Sequence, residues 1–125
     1  IEQAAVREAH EEVGVDPGAV RLLGRLTPIY IPVSRFNLFP VVGVVERRPG
    51  WVEAPAEVAR VLEPTPERLA DPAIARWERR RRPWGELDIP VLALDGARVW
   101  GATAMILSEF LTMIGMPPDP GPPPR

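Results

Sequence analysis

The 125-residue chain reads as an α+β fold, with a helix at each end and strands between. Three observations carry that reading. Glu2 to Val13 is rich in Ala, Glu, Gln and Arg and stops at Gly14, which is helix composition with a helix terminator. Phe36 to Glu46 is nearly continuous in apolar residues around Val41-Val42-Gly43-Val44-Val45, the mark of a strand covered on both faces. Asp95-Gly96 stands between two apolar segments, the strongest short hairpin signal in the chain. Helix, several strands, hairpin and helix predict an α+β or α/β sandwich, with helices packed on a mixed sheet.

The remaining elements follow in order. Asp16-Pro17-Gly18 is a turn, and Val20 to Leu26 reads as a strand. Ile29 to Val33 is a candidate second strand, interrupted by Pro32. Arg48-Pro49-Gly50 is a turn, and Glu57 to Glu63 suits either strand or helix. Pro66 to Ala70 is a short helical turn; Asp71 to Trp84 is polar, arginine-rich and undefined in form. Ile89 to Leu94 and Ala97 to Trp100 flank the hairpin turn, and Thr103 to Ile114 is the second long helix.

Bulk properties bound the function. A hydrophobic share of 46% and a charged share of 26% are those of one ordinary globular domain. A net charge of −2 gives no electrostatic reason for a nucleic-acid or anionic-membrane partner. The absence of cysteine excludes disulfides, thiol nucleophiles and thiolate metal sites, and the single histidine, His10, excludes any site needing two. No apolar run approaches the ~20 residues of a membrane span, and no signal core opens the chain. A cytoplasmic protein is expected.

The chain starts at Ile1, inside the first helix and without a capping residue, so truncation at the N-terminus is expected. Its 17 prolines are roughly twice or more the usual share of ~5%. Many fall in the tail from Pro117 onward, where a disordered or polyproline-like segment over 117–125 is expected.

The informative segment is Arg7-Glu8-Ala9-His10-Glu11-Glu12-Val13-Gly14-Val15. At ~100° per residue, Glu8, Glu11 and Glu12 share an arc roughly 100° wide, beside the apolar stripe of Ile1, Ala5, Ala9 and Val13. Like charges at i, i+4 cost a helix roughly 0.2–0.5 kcal/mol per pair. These acids also lie toward the helix C-terminus, where the macrodipole disfavours them. A bound divalent cation would reverse that electrostatic balance, and carboxylate oxygens suit Mg²⁺ or Mn²⁺. On spacing alone, a solvated acidic face with Arg7 as partner is the favoured reading, because surface Glu clusters on helices are common.

The string is more specific than the spacing. Arg-Glu-Ala-x-Glu-Glu-x-Gly-Val resembles the second half of the Nudix box and meets seven consecutive constraints of it; the box's first Gly and Glu would precede Ile1. The resemblance implies a Nudix-like α/β/α sandwich over residues 1–116, lacking its N-terminal strands. It implies Glu8, Glu11 and Glu12 as metal-binding and catalytic carboxylates, with Glu8 also orienting or deprotonating water. Arg7 would pair with the missing upstream Glu, and Gly14 would turn the chain out of the helix. His10 occupies the unconstrained position and should face solvent.

Further segments are similar to the coenzyme A pyrophosphatase branch of that family. Thr27-Pro28 with Ser34-Arg35-Phe36-Asn37-Leu38-Phe39-Pro40-Val41-Val42-Gly43 is one, Glu57-Val58-Ala59-Arg60-Val61 another, and Trp100-Gly101-Ala102-Thr103-Ala104 a third. Each also has a plain structural role: a loop entering a strand, loop charge, and a packed helix entry with Thr103 as cap or anchor. By the resemblance, Ser34 and Arg35 are candidates for substrate phosphate or sugar, and Glu57 for an additional catalytic carboxylate, with Glu53 competing. Arg79 to Arg82, between Trp77 and Trp84, could grip phosphates. Glu78 and Glu86 beside them favour a solvated loop.

The implied reaction is Mg²⁺- or Mn²⁺-dependent hydrolysis of a pyrophosphate bond, with coenzyme A or its acyl derivatives as substrate. ADP-ribose or another nucleoside diphosphate derivative is the nearest alternative, and a non-catalytic nucleotide-binding module the next. The resemblance also brings a homodimer into view as a candidate assembly.

Overall fold

A computed structural model describes residues 1–50 and 61–124. The chain falls into two compact units, Ile1–Glu63 and Pro64–Arg125.

In the first unit, helix α1 runs over Glu2–Val13, the span its composition predicts. Gly14 ends it with φ 78° and donates its N–H to the His10 carbonyl at 3.0 Å. A residue with a Cβ would be strained in that left-handed position. A single 3-10 turn, Pro17–Ala19, follows, held by the Asp16 carboxylate accepting from the Gly18 N–H at 3.0 Å.

The strands of this unit are β1 (Arg21–Arg25), β2 (Ile29–Ile31), β3 (Phe36–Leu38) and β4 (Val41–Val44). They form two antiparallel pairs, β1 with β4 and β2 with β3. The one long strand expected over Phe36 to Glu46 is therefore two strands. Pro40 has no N–H to give a ladder, so pairing breaks there. Its carbonyl instead accepts the Leu26 N–H at 3.0 Å. The expected covering on both faces is also not observed. Val41 and Val42 are half-buried and Val44 is exposed, because β4 has β1 as its one partner strand among the described residues. The register between β1 and β4 shifts between Leu22 and Gly24, leaving Leu23 exposed in a bulge.

In the second unit, helix α2 (Pro66–Leu69) is a single turn capped by Thr65, whose hydroxyl accepts the Arg68 N–H at 3.1 Å. Strands β5 (Ala75–Arg82), β6 (Gly85–Leu94) and β7 (Ala97–Val99) form an antiparallel sheet in sequence order. Asp95 and Gly96, with φ of 48° and 82°, make the two-residue turn between Leu94 and Ala97. Positive φ at both central residues is what a type I′ turn demands, and Asp-Gly meets that demand. Helix α3 spans Gly101–Met113.

Two sequence expectations are corrected here. The arginine run is not a solvated loop. It is the end of β5, and the acids opposite hold it there. Arg79 lies directly across from Asp88 and bonds it at 3.1 Å, with Glu86 at 3.5 Å. Glu78 takes Arg80 at 3.4 Å and Arg98 of β7 at 3.0 Å. Cross-strand ion pairs substitute for the apolar alternation that would have announced a strand. Thr103 does not cap α3. The helix starts two residues earlier, at Gly101, with the extended Trp100 as its N-cap and no side-chain cap.

The second unit holds most of the buried core. Leu69, Ile74, Ala75, Val91, Leu92, Leu94, Ala104 and Leu111 are buried, against Leu26 in the first unit. The α+β class expected from the sequence is the class observed, and every pairing among the described residues is antiparallel. No described helix is long and apolar enough to cross a membrane.

Candidate active site

Helix α1 places the candidate carboxylates. Its apolar side is half-buried: Ala5, Val6 and Ala9 border a small cleft with Val20 and Leu22 of the β1 segment and Val41 of β4. Glu8, Glu11 and Glu12 stand on the flank of that surface, and all three are exposed. Arg7 Nε lies 3.9 Å from Glu11 Oε1, an i, i+4 contact on the exposed surface and weak by geometry. The sequence expected Arg7 to pair with an acid upstream; within this chain it faces Glu11.

Among the described residues, no three acids or histidines converge as a closed metal cage. Three like charges on one arc repel and spread. The donor set nevertheless fits a hard divalent cation. It consists of carboxylate oxygens on one rigid helix, open to solvent, with no sulfur and no imidazole among them. His10 is exposed as expected, and its Nδ1 lies 3.1 Å from the Val15 carbonyl. That contact helps fix the turn after α1.

One residue escaped the sequence reading. Glu2, in the first turn of α1, makes a two-point ion pair with Arg25 at the end of β1, with Arg25 Nη2 at 2.8 Å from Oε2. The pair fastens the helix to the strand. The Arg25 hydrogen bond, helped by the residue's own N–H, holds the Glu2 carboxyl down at about 2, below its usual 4.5. An acid in the first turn also complements the macrodipole, which was visible in the sequence. Its partner, 23 residues on, was not.

Ser34 and Arg35 sit together in the β2–β3 loop. The Ser34 hydroxyl lies 3.5 Å from the Ile31 carbonyl and accepts the Phe36 N–H at 3.4 Å, so it braces the loop. Arg35 adopts φ 58° and donates its N–H to the Ile31 carbonyl at 2.8 Å. Its side chain is exposed and makes no ion pair among the described residues. Glu53 and Glu57 lie outside the described residues. Of the β5 arginines, Arg79 is tied to Asp88 and Glu86 and Arg80 to Glu78, all in the second unit.

Comparison with known proteins assigns this arrangement to a family. The model of the NUDIX domain matches residues 1–88, which include α1 and all three of its candidate carboxylates. Two relatives, from Enterobacter sp. (strain 638) and Salmonella paratyphi B, are each named "Uncharacterized Nudix hydrolase NudL". Each is 35% identical, over 116 and 121 residues respectively. In both cases the match covers 92% of this chain and 59% of the relative. The chain thus spans somewhat over half the length of the relatives it matches. With the carboxylate helix, its glycine stop and the α+β fold in agreement, the chain belongs to the Nudix family.

Proposed function

We propose that this chain carries the carboxylate helix of a divalent-cation-dependent hydrolase that cleaves a pyrophosphate bond in a nucleotide-derived substrate. The observation behind the proposal is the exposed arc of Glu8, Glu11 and Glu12 on α1, in the string that ends at the left-handed Gly14.

Pyrophosphate cleavage needs a water in line with the scissile bond and neutralisation of charge on the phosphate oxygens. A bound Mg²⁺ or Mn²⁺ supplies the neutralisation and eases deprotonation of water. Glu8, Glu11 and Glu12 would hold it. Glu8 would also orient the attacking water and accept its proton. Glu2 and Arg25 keep the helix fixed to β1, so the three acids keep their spacing. Arg35 and Ser34 would meet the substrate's phosphate or sugar, Arg35 being the exposed cation of that loop. Glu57 is assigned as the additional catalytic carboxylate.

Coenzyme A or its acyl derivatives is the substrate class assigned first, on the likeness of the Ser34–Gly43, Glu57–Val61 and Trp100–Ala104 segments to that branch. ADP-ribose and related nucleoside diphosphate derivatives come second. We assign the protein to the cytoplasm and expect homodimers, which sedimentation would detect. A non-catalytic nucleotide-binding module is the contrasting reading, and three like charges held on one arc speak against it.

Product release from coenzyme A and from ADP-ribose, measured side by side with Mg²⁺ or Mn²⁺, tests the proposal. Turnover of one substrate, abolished by Glu12→Gln, supports the hydrolase and selects the branch. Mn²⁺ binding without turnover of either would sink both substrate assignments and move the reading to a different nucleotide substrate or to the module.

A further inference from the structure

The second unit contains a cleft of about 630 Å³ that the carboxylate chemistry does not use. Its volume lies within the ~300–1,000 Å³ typical of small-molecule sites. The surface is overwhelmingly apolar: Val91 and Leu92 of β6, Ala104 and Met105 of α3, and Pro118 and Pro120 of the tail border it. Beside these prolines, Trp77 Nε1 donates to the Gly121 carbonyl at 3.0 Å.

The polar side chains of the cleft are few: Arg82, Trp100, Ser108 and Thr112, with Arg82 the one charged group. Arg82, half-buried at the turn end of the β5–β6 hairpin, borders it. Of its neighbours, Arg79 is paired with Asp88 and Glu86, and Arg80 and Arg98 with Glu78; Arg81 has no ion pair among the described residues but does not border the cleft. Arg82 has no carboxylate among the described residues, and its one contact is a 3.5 Å bond to the Arg81 carbonyl. A guanidinium presents five donors in a fork that matches a carboxylate. Deeper along α3, Ser108 adds a small hydroxyl position rather than a second charge. Trp100 closes one border, with the Arg80 guanidinium 5.5 Å above its ring.

An apolar cavity bordered by a cation that has no acid partner among the described residues is complementary to an aliphatic chain ending in a carboxylate. We infer that this cleft binds such a molecule, with the chain against β6 and α3 and the carboxylate on Arg82. The inference does not rest on the carboxylate helix, because no residue of α1 takes part.

Calorimetric titration of the full chain with octanoate and with octanol tests it, with circular dichroism reporting the fold of each variant. Octanoate should bind about tenfold tighter than octanol, the margin expected of a charge-assisted hydrogen-bonded pair. Arg82→Gln should remove that preference and leave octanol binding as it was, while Arg82→Lys should retain part of it. Ser108→Trp, which fills the cleft, should weaken both ligands at least about tenfold. Equal affinity for the two ligands in the unaltered chain would overturn the proposal without recourse to any variant. Absence of binding to the folded chain, or full affinity in Ser108→Trp, would overturn it equally.

Discussion

The two units divide chemistry from packing. The first, Ile1–Glu63, carries the candidate carboxylates and the β2–β3 loop, yet Leu26 is its one buried residue among those described. Its strands form isolated antiparallel pairs, which on their own are marginal in water. The second, Pro64–Arg125, has a three-stranded sheet against α3 and eight buried apolar residues. A reactive surface needs exposed charge and open approach, and both work against burial. A core needs apolar side chains facing one another, and that leaves little to react.

Substitutions should separate the two roles. The largest effect is expected from Glu12→Gln, with turnover of a pyrophosphate substrate falling by about a hundredfold or more and the thermal midpoint hardly moving. A matching fall in midpoint would make Glu12 a structural residue. Next comes Leu111→Ala in α3. Leu111 is fully buried, so the change should cost about 2–5 kcal/mol by denaturant titration. The corresponding truncation of exposed Leu23 in β1 should cost within about 0.5 kcal/mol. If the two costs were alike, the contrast in packing between the units would be wrong.

A smaller effect is expected at the β6–β7 turn. Gly96→Val puts a β-branched residue at φ 82° and should cost about 1–2 kcal/mol, with the loss confined to the second unit in hydrogen exchange. The smallest concerns acid stability. Because Arg25 lowers the folded pKa of Glu2 to about 2, the pair's contribution is full above about 4.5. It drains away as the pH falls from there through about 2. Arg25→Gln should flatten stability over that window, lowering it at neutral pH and leaving the values at the acid end nearly alike. An NMR titration placing Glu2 near its ordinary value in the unaltered chain would contradict the ion pair.

Local chemistry made much of this legible. The string Arg7 to Val15 announced helix, glycine stop and carboxylate arc, because a helix sets the spacing of its own side chains without help from distant residues. Asp95-Gly96 announced its turn for the same reason. The chain was misread where pairing is decided at a distance. Phe36 to Glu46 looked like one strand until Pro40 divided it between β2 and β1. Arg79 to Arg82 looked like a loop because its strand is held by Asp88 and Glu86 instead of by apolar alternation.

By itself, then, the sequence determined the α+β class, the extent of α1 and the grouping of Glu8, Glu11 and Glu12 on one side of it. All of these follow from backbone periodicity and short-range sterics. Only the tertiary structure decided that Arg25 anchors Glu2, that the arginine run is a strand, and that Arg82, at the border of an apolar cleft, has no acid partner among the described residues. Those outcomes depend on which residues meet across 9, 20 or more positions of chain, roughly, and loop closure and cross-strand register, not local propensity, select them.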